Sequence, residues 1–269
     1  MTILRRIMIA TLAIALVAIG GARATSTTNF SDQWWAVNES GWALSVQQQS
    51  DVLFISLLTY ATDGKPTWFT ATAPLQPGPN PGHAVFIGDL YLTTGTSYAG
   101  QWDPKSLGYR KVGTLQFAAS APENASLTYT VDGTTVTKSL IRQTWRYENL
   151  AGTYRGGWNA DRPFCIEGPA NQTRFDDALT ITIARNSDNT VTVKLDFADG
   201  GSESFSGTYT QSGHLGRIDG EFAGYGQIFV TEIEVTSAGF TGRFAGHLIT
   251  SRWRDWCDMT NGRIGGVLR

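Results

Sequence analysis

The sequence predicts an all-β protein of two antiparallel domains in tandem, each a barrel or a sandwich, placed after a signal peptide. Three observations carry this. Apolar residues alternate with polar ones over most of the chain, Asp-Gly pairs separate such runs, and no stretch of useful length holds a helical period. Short turns between sequential runs favour an up-and-down meander, and closing it would remove exposed edges.

Residues 1–24 read as a targeting segment. Arg5 and Arg6 form a basic start, Ile7 to Ile19 is uncharged and mostly apolar, and Ala22-Arg23-Ala24 is an A-x-A cleavage site. The apolar run is shorter than the ~20 residues a membrane-spanning helix needs. The expectation is therefore export, to the periplasm or beyond, with no membrane span after cleavage. Residues 25–33 are polar and are expected to be a disordered lead-in.

The first domain is placed at 34–147. Gln33 to Phe69 is its densest stretch, with Trp34, Trp35, Trp42 and Trp68 among the chain's nine tryptophans. Asp63-Gly64 there is a hairpin signal, because both central residues of a type I′ turn need positive φ. Ala73 to His83 is a proline-rich loop. Ala84 to Thr94 is a strand, with Gly88 read as a bulge. Gly95 to Gly108 is a second loop carrying Trp102. Val112 to Ala118, Ser126 to Val131 and Thr135 to Trp145 follow as strands, the last two joined at Asp132-Gly133.

The pattern restarts near Tyr147, and the second domain is placed at 148–269. Gly152-Thr153-Tyr154, Gly207-Thr208-Tyr209, Gly220-Glu221-Phe222 and Gly242-Arg243-Phe244 repeat one arrangement. Glycine there lets a bent sheet close while the aromatic fills the interior. Between these lie clean strands such as Val191 to Phe197, where Val191, Val193, Leu195 and Phe197 alternate with polar residues. Cys165 and Cys257 are the chain's two cysteines. In an exported chain without a C-x-x-C they are expected to form a structural disulfide.

Charge narrows the partners. Loss of the targeting segment removes three arginines and moves the formal net charge from −2 to −5. No Lys/Arg cluster suited to phosphates is present, so nucleic acid is not expected.

The runs W-W-A-V-N-E-S-G-W-A-L, L-F-I-S-L-L-T-Y-A-T-D-G-K-P-T-W-F and L-T-Y-T-V-D-G-T-T-V-T-K-S-L-I-R-Q resemble a module of exported proteobacterial proteins marked by E-S-G-W-G-L after tryptophans. The resemblance covers residues ~34–143 and departs at Ala43, where that family has glycine. It implies export and a β fold, and no chemistry. The second half resembles avidin- and lipocalin-type barrels only in its glycine and aromatic placement.

Catalytic sets are not assembled in the sequence. His83, His214 and His247 are the three histidines, and no serine sits in a G-x-S-x-G elbow. No H-x-H, H-E-x-x-H or EF-hand spacing occurs, so neither a metal nor another cofactor is expected. Asp176-Asp177 and the pair Asp255 and Asp258 read as solvated turns. Glu39 has two readings. It caps the turn into the first strand, or it is a polar anchor in an aromatic site, with Arg142 and Arg146 as partners. A glycosidase reading would pair it with Glu148 or Asp89. Trp34 and Trp35 must face opposite sides if extended, which leaves at least one of them accessible.

The candidate ligand-binding residues are thus Trp35, Glu39, Trp42, Trp68 and Trp102. The expected function is non-catalytic binding of a glycan, a small apolar ligand or an exported protein. The rivals are a hydrolase working through Glu39 and a structural or inhibitor protein acting by contact.

Overall fold

The computed structural model describes residues 28–77, 83–165, 174–223, 226–249 and 256–269. The expected targeting segment lies outside them. The fold is two closed antiparallel barrels of eight strands each, which decides between barrel and sandwich in favour of closure.

The first barrel runs β1 (Asp32–Trp35), β2 (Ala43–Gln49), β3 (Val52–Tyr60), β4 (Pro66–Pro74), β5 (Ala84–Thr94), β6 (Gly108–Ala121), β7 (Asn124–Val131) and β8 (Thr134–Arg142). Each strand pairs with the next, and β1 returns to β8 through Trp34 with Arg142 and Trp35 with Ile141. Period-two alternation sends Leu53, Ile55 and Leu57 of β3 and Leu115 and Phe117 of β6 inward, all fully buried. Trp34 meets Phe117 edge-on at 5.1 Å, and Phe30 meets Phe86 at 5.8 Å. Burying each such side chain contributes roughly 1.5–3 kcal/mol.

Two expectations are corrected. The lead-in 25–33 is not disordered from Thr28 onward. Phe30 is buried in the first core and accepts the Trp34 indole N–H at 3.0 Å, and Asp32 opens β1. A ring at residue 30 can reach the barrel floor, where burial outweighs the cost of ordering a polar segment. Gly88 is not itself a bulge, because the register shift lies at Leu90 and Tyr91. A Cβ at Gly88 would fall 2.3 Å from the Thr72 carbonyl oxygen, so the glycine permits close strand approach.

The second barrel runs β9 (Gly152–Cys165), β10 (Arg174–Arg185), β11 (Thr190–Phe197), β12 (Ser202–Ser212), β13 (Leu215–Phe222), β14 (Gly226–Thr236), β15 (Gly239–Ile249) and β16 (Trp256–Leu268), with β16 closing on β9. The repeated aromatics Tyr154, Tyr209, Phe222 and Phe244 are all buried in its core. Trp158 stacks on Phe244 at 5.4 Å. Cys165 and Cys257 face each other across β9 and β16 and are disulfide-bonded. Such a bond fits an oxidising compartment.

The start of β1 and the end of β8 lie at one end of the first barrel, and that end abuts the second. Asp32 Oδ2 accepts from the backbone N–H of His214 at 3.0 Å, its Nδ1 at 2.9 Å and the Arg142 guanidinium at 3.2 Å. His214 Nε2 lies 3.6 Å from Glu234. The Asp32 and Glu234 carboxylates hold the His214 pKa up at about 9. Arg142 also donates to the carbonyls of Pro122 and Asn29 at 2.6 and 2.7 Å, and its guanidinium lies 4.7 Å from the Trp34 ring centroid. Gly213 has φ +62, and a Cβ there would fall 2.0 Å from Asp32 Oδ2. Only glycine lets the β12–β13 turn seat so closely.

Candidate functional site

The opposite end of the first barrel, remote from the second, carries the exposed rings of Tyr60, Trp68, Tyr98, Trp102 and Tyr109. Strand direction sets this. The end of β3, the start of β4, the end of β5 and the start of β6 all lie there, as does the β1–β2 loop.

Register then defines an outward-facing belt just below that end. Trp34 pairs with Leu44, which puts Trp35 beside Ala43. Ala43 pairs with Leu58, and Leu58 with Trp68. Phe69 pairs with Leu92, which sets Trp68 beside Thr93, and Thr93 pairs with Tyr109. The belt therefore reads Trp35, Ala43, Leu58, Trp68, Thr93, Tyr109. Leu58 is 48%, Trp68 50% and Tyr109 75% exposed, so these groups face solvent and not the core. The Trp68 indole N–H donates to Thr93 Oγ1 at 3.1 Å, which fixes the ring's orientation.

The next row towards the second barrel is Ser45, Ser56, Thr70, Tyr91 and Lys111. The Tyr91 ring meets Tyr109 edge-on at 6.3 Å, tying the two rows together. Beyond it a cleft of about 560 Å³ is lined by Phe54, Thr70, Thr72, Ile87, Asp89 and Tyr91.

Trp102 stands in the loop between Thr94 and Gly108, at the belt's Tyr109 side, and is 67% exposed. The loop is braced locally. Asp103 N–H donates to Thr96 Oγ1 at 3.0 Å, and the Asp103 carboxylate accepts from Lys105 N–H at 2.9 Å, capping a 3₁₀ turn at Pro104–Ser106.

Glu39 and Trp42 form a second cluster, at the barrel mouth. The Trp42 indole N–H donates to Glu39 Oε2 at 3.2 Å. The Lys138 ammonium pairs with the same carboxylate and lies 5.0 Å from the Trp42 ring centroid. That lysine pulls the Glu39 pKa below its ordinary value, while burial raises that of neighbouring Tyr129. The loop turns through Asn38 at φ 70 and Gly41 at φ 104. Neither arginine expected beside Glu39 is its partner. Arg142 lies four residues farther along β8, roughly 14 Å away at ~3.4 Å per residue, and pairs with Asp32. Arg146 pairs with Glu148 at 3.7 Å, beyond the barrel.

The five sequence candidates thus fall into two groups and a loop. Trp35 and Trp68 share the belt, Glu39 and Trp42 share the mouth, and Trp102 rises from the adjoining loop. Leu58, Tyr91, Tyr109 and Lys138 were not singled out by sequence. One signal was present. β3 reads V-L-F-I-S-L-L, apolar on both faces, which marks a strand whose outer face is unusually apolar.

A wider, shallow groove of about 740 Å³ runs between the β1–β2 loop, which contributes Ala36, Val37 and Glu39, and the outer face of β5–β8, with Lys138 also in its lining. Its floor includes Ala118, Ser120, Ser126 and Ser139, and its lining holds no Trp, Tyr or Phe.

No protein-family model, curated protein or solved structure matches the chain.

Proposed function

We propose that the chain is an exported, non-catalytic binding protein that engages its ligand through the aromatic belt of the first barrel. The observation that carries this reading is the belt itself: half-exposed rings held in register on the outside of a barrel whose interior is already filled by side chains. Large side chains that stay solvated when a core is available mark recognition surfaces. The targeting segment and the resemblance of residues ~34–143 to an exported module support the same reading.

The Glu39 geometry favours binding over hydrolysis. A general acid needs a raised pKa, whereas Lys138 lowers that of Glu39. Asp89 is paired with Lys111 at 2.7 Å, and Glu148 lies towards the opposite end, beside Gln211. Tryptophan fluorescence titration against cell-wall glycans and apolar small molecules tests the reading. A saturable response lost in Trp68→Ala and Tyr109→Ala is expected. Glycan hydrolysis that stops in Glu39→Gln would overturn it, as would binding indifferent to both ring substitutions.

A further inference from the structure

We propose that the belt's ligand is an uncharged glycan chain of several sugar rings, laid across β1 to β6; this rests on the binding reading above. Charge is the first argument. The charged groups at this end of the barrel are matched: Asp63 with Lys65 at 2.8 Å, Asp89 with Lys111 at 2.7 Å, Arg110 with Asp132 at 2.6 Å, and Glu39 with Lys138. Asp103 and Lys105 cancel in the neighbouring loop. A surface neutralised in pairs exerts little long-range attraction on an anionic polymer, a nucleic acid or an anionic lipid surface. It complements a partner without charge.

Chemical alternation is the second argument. In the belt a hydroxyl separates two rings, Trp68, Thr93 and Tyr109, and in the row beside it the hydroxyls of Ser56 and Thr70 lead to the ring of Tyr91. Aromatic faces attract the weakly positive C–H groups of a pyranose face. Hydroxyls both donate and accept, matching the hydroxyl rim of the same sugar. An apolar small molecule would leave the hydroxyls of Ser56 and Thr70 unmatched, and the belt offers no enclosure of the kind such ligands occupy. Trp68 and Tyr109 stand two strands apart, about 10 Å at the usual strand spacing. That span suits consecutive units of a chain better than a single sugar.

Isothermal titration and tryptophan fluorescence with cellohexaose, xylohexaose, maltoheptaose and chitohexaose test the proposal, with alginate as the anionic probe and anilinonaphthalene sulfonate as the apolar one. Wild type, Trp68→Ala and Tyr109→Ala are compared, their folding checked by circular dichroism. The expected result is saturable binding of at least one neutral oligosaccharide, insensitive to salt between about 0.05 and 0.5 M, and weakened about tenfold by each ring substitution. Preferential, salt-sensitive binding of alginate overturns the uncharged class but leaves the belt as the binding surface. Binding of the apolar probe alone, lost in both ring variants, does the same. Neutral oligosaccharide binding that both variants retain overturns the belt itself. Failure of every probe to bind wild type overturns the glycan and, with it, the ligand classes on which the binding reading stands.

Discussion

Asp32 and His214, 182 residues apart, are joined twice: one carboxylate oxygen accepts both the backbone N–H and the ring Nδ1 of the histidine. The two barrels are coupled through this contact, and Arg142 of the first barrel holds the same carboxylate oxygen in place.

The coupling is expected to depend on pH. His214 is raised from 6.5 to about 9, so its contribution is complete below about 6.5 and is lost as pH rises through about 9. Asp32 and Glu234 are lowered, in Glu234 chiefly by the His214 hydrogen bond and in Asp32 by His214 and Arg142 against the opposing effect of burial. Their contributions are present above the ordinary carboxylate values and are lost as pH falls through the lowered ones. Urea unfolding of wild type and His214→Ala should differ most near pH 6. The gap should shrink by on the order of 1 kcal/mol by pH 10, allowing for solvent screening of a part-exposed ring.

Arg142→Met should cost about 3–5 kcal/mol, because it leaves Asp32 half-paired and the Pro122 and Asn29 carbonyls without their donor. Asp32→Asn in the same chain should cost less than it does alone, since the two groups share one network. A double-mutant cycle by chemical denaturation measures this directly.

Gly113→Ala should destabilise the first barrel by about 2 kcal/mol or more, since the new Cβ would fall 1.9 Å from the Thr130 carbonyl oxygen. Gly95→Ala is the control. Nothing lies within 4 Å of a Cβ there, and its melting temperature should match wild type.

Replacing both Cys165 and Cys257 by serine should lower the stability of the second barrel by about 2–5 kcal/mol. The bond joins β9 to β16 at the end away from the first barrel. Hydrogen exchange should therefore rise in β9 and β16 and stay unchanged in β3 to β6.

Much of the architecture was legible because it is written at short range. Alternation such as Val191 to Phe197, and turns such as Asp132-Gly133, specify strands and hairpins from neighbours in sequence. The last strand of the first barrel ends at Arg142 and the first strand of the second begins at Gly152, on either side of the break read near Tyr147. What the sequence withheld depends on register between distant strands. Trp68 stands out as a tryptophan but Leu58 and Tyr109 are unremarkable singly, and only the pairing of β3, β4, β5 and β6 sets the three in one row. Lys138, and not Arg142, is the partner of Glu39, and sequence does not say which half of β8 lies beside the mouth. His214 sits beside Gly213 between two strand-like runs, and nothing local reveals a carboxylate contributed by the other barrel.

The chain enters the first barrel beside Glu232 and Glu234 and leaves the second beside Thr153. Both passages are at the waist of the molecule. A surface, bead or fusion partner tethered to either one would therefore grip the protein by its middle. The ringed pole would project freely to one side and the disulfide pole to the other.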